Sequence, residues 1–350
     1  MSTAGTATLS RWCSTTPDVA LVTAGDPARR TGGNLYNRHM LTAMRRDGVR
    51  VTTVVLRDRR DAARLGELRA PLVLVDTIAA SLAARHLARL HARGSEVVVL
   101  AHMRLGAMAL ARRADRVIAV SRALADELVA GGIDRRRITV ISPGCDAVGA
   151  RPRAKHGRRI LCVGNWTPAK GIHTLVAAVA RLPDVSLELV GDAPDAAYAA
   201  RVRRAIAARG LATRVRVYGP LGRTALRRRY AAASIFALPS TREAYPIVYA
   251  EALSCGLPVV GCDIPAVREV TDGAAILVAP GRVAPLAAAL KGLLTDERRY
   301  RDLARRSLLR ARRLPTWAES EARFVRAVRT GSARGRRSAI PTARPRSDPG

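Results

Sequence analysis

Residues 235–263 read IFALPSTREAYPIVYAEALSCGLPVVGCD, and the reading of the whole chain starts from this stretch. Ile235–Leu238 is a short apolar run bounded by a proline, the pattern of a buried strand. Pro239–Tyr245 is polar and turn-forming, and a helix follows with Pro246 at its first turn. Proline suits that place because its fixed φ fits a helix start and its missing N–H would have no partner there anyway. A second apolar strand runs through Val259 and Val260. Strand, loop, helix and strand make one unit of a parallel α/β sheet. Ligands of such sheets collect beyond the carboxyl ends of the strands, and the positive end of a helix seats phosphate. Glu243 stands in the loop and Glu251 at about the second helical turn, eight residues further on. Two acidic acceptors beside a phosphate seat suit a ligand with both hydroxyls and phosphates, such as a sugar nucleotide. The same pattern also fits an ordinary α/β unit whose two acids are merely solvated.

Composition narrows the class. The chain has 350 residues, enough for two domains, and 48% of them are apolar. No apolar run approaches the roughly 20 residues of a membrane span. The first residues lack a charged-then-apolar export pattern, which predicts a cytoplasmic protein. Cys13, Cys145, Cys162, Cys255 and Cys262 form no CxxC pair, so neither zinc nor a redox pair is predicted, and Cys162 and Cys255 read as small core residues. The formal net charge is +32. The cations are nearly all arginine, with lysine only at 155, 170 and 291, and aromatics, the stacking platforms of single-strand binders, make up 3%. No nucleic-acid partner is therefore expected. Peripheral attraction to an anionic membrane, at the inner face, fits the charge better.

Apolar runs recur along the first half at Val19–Ala24, Val51–Leu56, Leu72–Val75, Val97–Leu100, Val117–Val120 and Ile138–Ile141, with helical segments between them. A parallel, doubly wound sheet is the economical topology. Gly32 and Gly33 precede a helix with Leu35, Met40, Leu41 and Met44 on its apolar face; paired glycines there permit a close backbone approach to a ligand, or make a plain turn. His102 ends the run VVVLAH, where its ring points at a ligand cleft or simply caps a strand. Residues 149–158 are basic and contain Pro and Gly, as a linker does. A second α/β series then begins with ILCVGNWTPAKGIHTL, in which Gly164, Lys170 and Gly171 lead into a helix. A cation and backbone N–H groups at a helix start make a phosphate seat, and a lysine in an arginine-dominated chain points to a specific role; an exposed loop cation is the plainer alternative. Strands at 186–192, 215–222 and 274–280 and helices at about 283–294, 296–312 and 316–329 complete the series. Arg227–Arg229 reads as a solvated run.

The central stretch closely resembles the donor-binding segment of retaining glycosyltransferases of family 4, which have the GT-B fold. Members carry Glu, seven residues, Glu, then small–small–Gly–x–Pro–Val–Val, matched here by Glu243, Glu251 and Ser254 to Val260. The resemblance covers about residues 17–330. It implies two doubly wound Rossmann-like domains facing across a cleft: a flexible start at 1–16, an acceptor-side domain at 17–148, the linker at 149–158, a nucleotide-sugar domain at 159–312, a helix at 313–330 returning to the first domain, and a disordered tail at 331–350. It also implies a nucleotide-sugar donor (UDP-, GDP- or ADP-linked) as substrate, a sugar-containing or lipid acceptor, no other cofactor, and retention of anomeric configuration without a metal. Lys170 would neutralise the diphosphate, Glu251 would accept from the ribose hydroxyls, and Glu243 with the N–H groups near Tyr245 and Ile247 would hold the sugar. Gly164, Asn165, Gly191 and Tyr218 would complete the donor seat, with His102, Gly32 and Gly33 supplying the first domain's part.

Four departures are visible. Asn165 stands where the family has a diphosphate-holding arginine. Ala244 and Pro246 replace two glycines, so Ala244 must keep a permissive φ and one N–H donor is lost. Only residues 103–114 separate His102 from the next strand, a shortened acceptor segment. These departures leave open a catalytically weakened nucleotide-sugar-binding protein. A basic nucleic-acid-binding protein and a nucleotide-sugar epimerase are the remaining alternatives.

Overall fold

The computed structural model describes residues 17–103, 106–146 and 158–335. The flexible start at 1–16, nearly all of the linker at 149–158 and the tail from 336 lie outside the described residues. The chain divides into two units, residues 1–143 with 317–350, and residues 144–316.

The first unit holds a parallel sheet of six strands: β1 (Val19–Ala24), β2 (Val51–Leu56), β3 (Leu72–Asp76), β4 (Glu96–Ala101), β5 (Arg116–Ala119) and β6 (Ile138–Val140), in the order β2-β1-β3-β4-β5-β6. Val73, Val75, Val97 and Val99 are wholly buried, as strands covered on both faces require. The second unit repeats the plan with β7 (Arg159–Val163), β8 (Ser186–Val190), β9 (Val215–Tyr218), β10 (Ile235–Leu238), β11 (Val259–Cys262) and β12 (Ile276–Val278), in the order β12-β11-β10-β7-β8-β9. Chain order reverses between β1 and β3 in one sheet and between β7 and β10 in the other, and such switch points are where open sheets bind ligands. Two parallel six-stranded Rossmann-like sheets with flanking helices are the GT-B plan.

Several details differ from the sequence expectations. Gly32 and Gly33 are the first two residues of the helix Gly32–Arg46, because Thr31 caps it by accepting from the Asn34 N–H. Pro246 lies just before the helix Ile247–Ser254, since its ψ of 85° is not helical. The last helix runs from Trp317 to Gly335, past 330, with no proline to stop it before Pro341. Cys145 belongs to the second unit, its N–H donating to the Pro315 carbonyl at 2.8 Å. Cys162 and Cys255 are core residues at 1% and 7% exposure, as their apolar neighbours predict. None of the described helices is long and apolar enough to cross a membrane.

Candidate functional site

The second unit's switch point is built by two loops, one after β7 and one after β10. Gly171 has φ +64°, and a Cβ there would stand 2.2 Å from the Pro239 carbonyl oxygen, so only glycine lets the loops meet. The Thr241 N–H donates to the Ala169 carbonyl at 2.8 Å and fixes them together. Across this seam the Lys170 ammonium donates to Glu243 Oε1 at 2.6 Å. Glu243's side chain is 8% exposed and that of Lys170 23%, so the lysine side chain remains partly open to solvent. Gly164 lies under the lysine's aliphatic stem. Gly191 has φ +145° and passes close over the Gly164 carbonyl, where a Cβ would stand 2.1 Å from the oxygen. The sequence assigned Lys170 and Glu243 to different parts of a donor; here they touch.

Asn165 Oδ1 accepts from the Asp192 N–H at 3.3 Å, so the amide oxygen supports the turn after β8. Ala244 needs no special φ: among the described non-glycine residues, only Asp184 and Asp272 have positive values. The Ile247 N–H donates to the Tyr245 carbonyl at 3.1 Å around Pro246 (φ −85°, ψ 85°), an inverse γ-turn. That amide is engaged inside the protein. The Tyr245 hydroxyl is buried without a partner among the described residues, and burial pushes its ionisation up.

Glu251 lies on the helix Ile247–Ser254 with its carboxylate largely enclosed. The Tyr230 hydroxyl donates to its Oε2 at 2.8 Å. Burial raises its pKa, opposed by the Tyr230 hydrogen bond and by the charges of Arg223 and Arg227. Residues 223, 227 and 230 share one face of the helix Arg223–Ala232 by their spacing, so that helix lends Glu251 both a donor and positive potential. Cys145 is nearby, and burial pushes its thiol up to about 12.

Tyr218 closes β9. The Arg229 guanidinium lies 4.9 Å from its ring centroid and donates to its hydroxyl at 3.0 Å. Arg229 also meets Glu188 at 3.5 Å. Arg229 is therefore not part of a solvated run; it is the half-buried counter-charge of a carboxylate that is 3% exposed on β8. Sequence reasoning missed Glu188, although a lone acid in the apolar strand SLELV was the available signal.

In the first unit, a polar relay crosses the switch point between β1 and β3. Asp76, at the end of β3, accepts from the Asn37 amide nitrogen at 2.6 Å and from the Thr23 hydroxyl at 3.4 Å. Asn37 then presents its Oδ1 to His102 Nε2 at 2.8 Å. A carboxylate only accepts, so the amide nitrogen must face Asp76 and the amide oxygen His102. The network thus assigns the proton of neutral His102 to Nε2 and leaves Nδ1 as an acceptor. Burial lowers the His102 pKa, with the Asp76 charge opposing. The Tyr36 ring packs edge-on at 5.0 Å, and Gly33 lies against the imidazole. Asn37 and Asp76 were not singled out from the sequence. Among the described residues no three His, Cys, Asp or Glu side chains gather to hold a metal ion.

Residues 157–296 match the model of glycosyl transferases group 1, and residues 101–148 that of Glycosyltransferase Family 4. The chain belongs to this family. It is 33% identical over 233 residues to a D-inositol 3-phosphate glycosyltransferase of Xylanimonas cellulosilytica, covering 60% of this chain and 56% of the relative. It is 34% identical over 179 residues to the protein of that name from Mycobacteroides abscessus, covering 46% and 39%. The chain thus spans about half the length of these curated relatives. In fold it is similar to sucrose-phosphate synthase from Thermosynechococcus elongatus, with TM-score 0.78, 21% identity, and 90% of this chain and 99% of the other covered. Anabaena HepE in complex with UDP and glucose is similar at TM-score 0.75 and 19% identity, with 90% and 100% covered.

Proposed function

We propose that this protein moves a sugar from a nucleotide-sugar donor to an acceptor, with the donor held by the second unit. The observation that carries the reading is the Lys170–Glu243 contact of 2.6 Å at that sheet's switch point. An ammonium has three N–H donors; one serves Glu243, and on this reading another serves a phosphate oxygen. On this reading Lys170 offsets the charge that develops on the leaving diphosphate, and a metal has no assigned place in the step. Glu243 keeps the lysine in position and accepts from a sugar hydroxyl beside it. Glu251 accepts from the ribose hydroxyls, with Tyr230 holding the carboxylate's orientation. The bond from the anomeric carbon to the diphosphate breaks, the acceptor hydroxyl oxygen bonds to the same face with configuration retained, and its proton passes to the departing diphosphate. His102, with Nδ1 as acceptor, and the helix start at Gly32–Gly33 are assigned to the acceptor.

The test is transfer and hydrolysis from a panel of UDP-, GDP- and ADP-sugars. UDP-glucose leads the panel because HepE, of similar fold, has been seen in complex with it. Inositol 3-phosphate leads the acceptors because the curated relatives carry its name. Lys170→Ala and Glu251→Ala are expected to lose at least tenfold in donor binding, and wild-type values for both sink the assignment. A second reading, a nucleotide-sugar-binding protein of weakened turnover, is favoured by the Ile247 N–H, which is engaged by the Tyr245 carbonyl. Donor binding without transfer or hydrolysis selects it.

A further inference from the structure

The helix Ile172–Val179 begins two residues after Lys170, and its N-cap is Gly171, which has no side chain to offer the first amides. The cap comes from another helix. Tyr198, in the first turn of the helix Ala196–Ala207, is 3% exposed and meets this start with its hydroxyl. The His173 N–H donates to the hydroxyl oxygen at 3.3 Å, and the Ile172 N–H faces the same oxygen. His173 Nδ1 stands 2.9 Å from that oxygen, with the two rings edge to face. The hydroxyl has one proton and no other acceptor among the described residues, so it donates to Nδ1. Nδ1 is then the bare nitrogen, and neutral His173 carries its proton on Nε2. The next two amides are served locally: Thr174 and Leu175 donate to the Gly171 carbonyl at 2.9 and 3.2 Å. The same Gly171 is packed against the Pro239 carbonyl. The capped turn, the glycine and Lys170 thus form one continuous support for the contact with Glu243.

We propose that His173 and Tyr198 are a positioning pair for the donor seat: the neutral imidazole orients the tyrosine hydroxyl, the hydroxyl caps the helix start, and that start holds Lys170 against Glu243. The inference rests on the donor reading of Lys170 given above, and both residues act through the lysine. Protonation undoes the arrangement. A charged imidazole brings a further N–H to an oxygen that already accepts from the backbone, and the tyrosine proton loses its acceptor. The folded protein resists that charge, because burial lowers the His173 pKa and Arg201, 5.8 Å from the centre of the Tyr198 ring, lowers it further. Asp195, at the start of the tyrosine's helix, is engaged by the Tyr198 N–H at 2.9 Å. The helix Val283–Thr295, also packed against Ile172–Val179, has the exposed Lys291 as its one ionisable side chain. β10 has none, and Cys162 of β7 stays a neutral thiol because burial pushes it up to about 12. Donor affinity is therefore full while His173 is neutral and falls as pH drops through its lowered pKa, below the ordinary histidine value of about 6.5.

The test compares the full chain with His173→Asn, whose amide oxygen stands where Nδ1 does and accepts without ionising. Tyr198→Phe, which keeps the ring and removes the cap, is the second variant. Affinity for UDP-glucose, or for whichever UDP-, GDP- or ADP-sugar of the panel binds, is measured by calorimetry from about pH 7.5 to about pH 4.5. These diphosphates are diesters and lack the second ionisation of a terminal phosphate at about 6. Glu251 contributes a pH dependence common to all three proteins, so the ratio of wild type to variant is read. Wild type is expected to match His173→Asn at the upper end and to fall about threefold or more below it at the lower end, the worth of about one hydrogen bond. Tyr198→Phe is expected to bind more weakly than both at the upper end and to lack this step. A second arm follows the ligand-free proteins by NMR. There the Glu243 amide, on the opposite loop, is expected to shift with the titrating His173 imidazole and to lose that step in His173→Asn. The same pH course in wild type and His173→Asn overturns the proposal, as does a Tyr198→Phe protein with wild-type affinity and the step intact. A ratio that rises on acidification also overturns it, because that is the behaviour of an imidazolium that merely attracts phosphate. If wild type binds no sugar of the panel, the donor reading fails and the NMR arm decides the pair by itself: a Glu243 amide that ignores His173 overturns the positioning role.

Discussion

Glu251 illustrates a conflict at the scale of one side chain. Its carboxylate is enclosed next to the Tyr230 hydroxyl, and burial raises its pKa. The charged form, which would accept from a ribose, is the form the folded protein penalises before the ligand arrives. Below the ordinary carboxylate range both folded and unfolded states are protonated and the penalty is absent. As pH rises from there towards the raised folded value, the unfolded state ionises first and folding stability falls. Glu251→Gln keeps an oxygen for the Tyr230 hydroxyl and cannot ionise. The variant is therefore expected to show a higher urea midpoint than wild type at pH 7 and the same midpoint near pH 4. Its donor affinity should fall about tenfold or more, the worth of a hydrogen bond to a charged acceptor. A midpoint difference independent of pH would show that ionisation of Glu251 is not the cause. The position of Glu251 was legible in the sequence, because Glu, seven residues and Glu around a strand–helix turn is a local pattern. Its partner Tyr230 was not, being 21 residues away on another helix. Asn37 and Asp76 escaped for the same reason: the relay to His102 is made by three elements that only the sheet order brings together.

The elements were the most readable level of the chain. Because strands buried on both faces must be continuously apolar, alternation of short apolar runs with helical segments located the strands to within about two residues, except that β9 stops at Tyr218 and not at 222. What the pattern could not express is how loops after neighbouring strands meet. The paired residues Ile160 of β7 and Ile235 of β10 are 75 positions apart, yet the loops after these strands are in backbone contact at Gly171 and Pro239. Gly171→Ala puts a methyl into the Pro239 carbonyl from a left-handed conformation that itself costs about 1–2 kcal/mol. With the clash added, a loss of roughly 3 kcal/mol is expected by urea unfolding, within the range of severe backbone effects. Displacing the loop also moves Lys170 from Glu243, so donor binding should weaken together with stability. A stable variant with wild-type donor binding would mean the seam between the loops is dispensable. At this scale the Asn165 departure also becomes intelligible: the residue after Gly164 holds the β8 turn, and an arginine's reach is not needed for that.

At the scale of the molecule, the chain leaves its first unit at Pro143 and re-enters it at Trp317. The last helix is thus part of the first unit's core, although it is the most distant segment in sequence. Trp317 stacks on His39 at 3.7 Å, Glu321 accepts from His39 at 2.8 Å and faces Arg46, and Phe324 packs edge-on against Tyr36. Phe324 and Tyr36 are wholly buried, and the Tyr36 hydroxyl donates to the Ile141 carbonyl at 3.1 Å. Tyr36 also touches His102, so the returning helix supports the ring that supports the histidine. Phe324→Ala should cost the first unit about 3–5 kcal/mol, the usual loss for emptying a buried aromatic site. That is a large fraction of the total stability of a domain, typically about 5–15 kcal/mol. Since the second unit has its own core, built without this helix, its unfolding should be untouched. Calorimetry is therefore expected to show one transition moved to lower temperature while the other stays in place. Two transitions displaced by the same amount, or none displaced, would refute the assignment of this helix to the first unit alone.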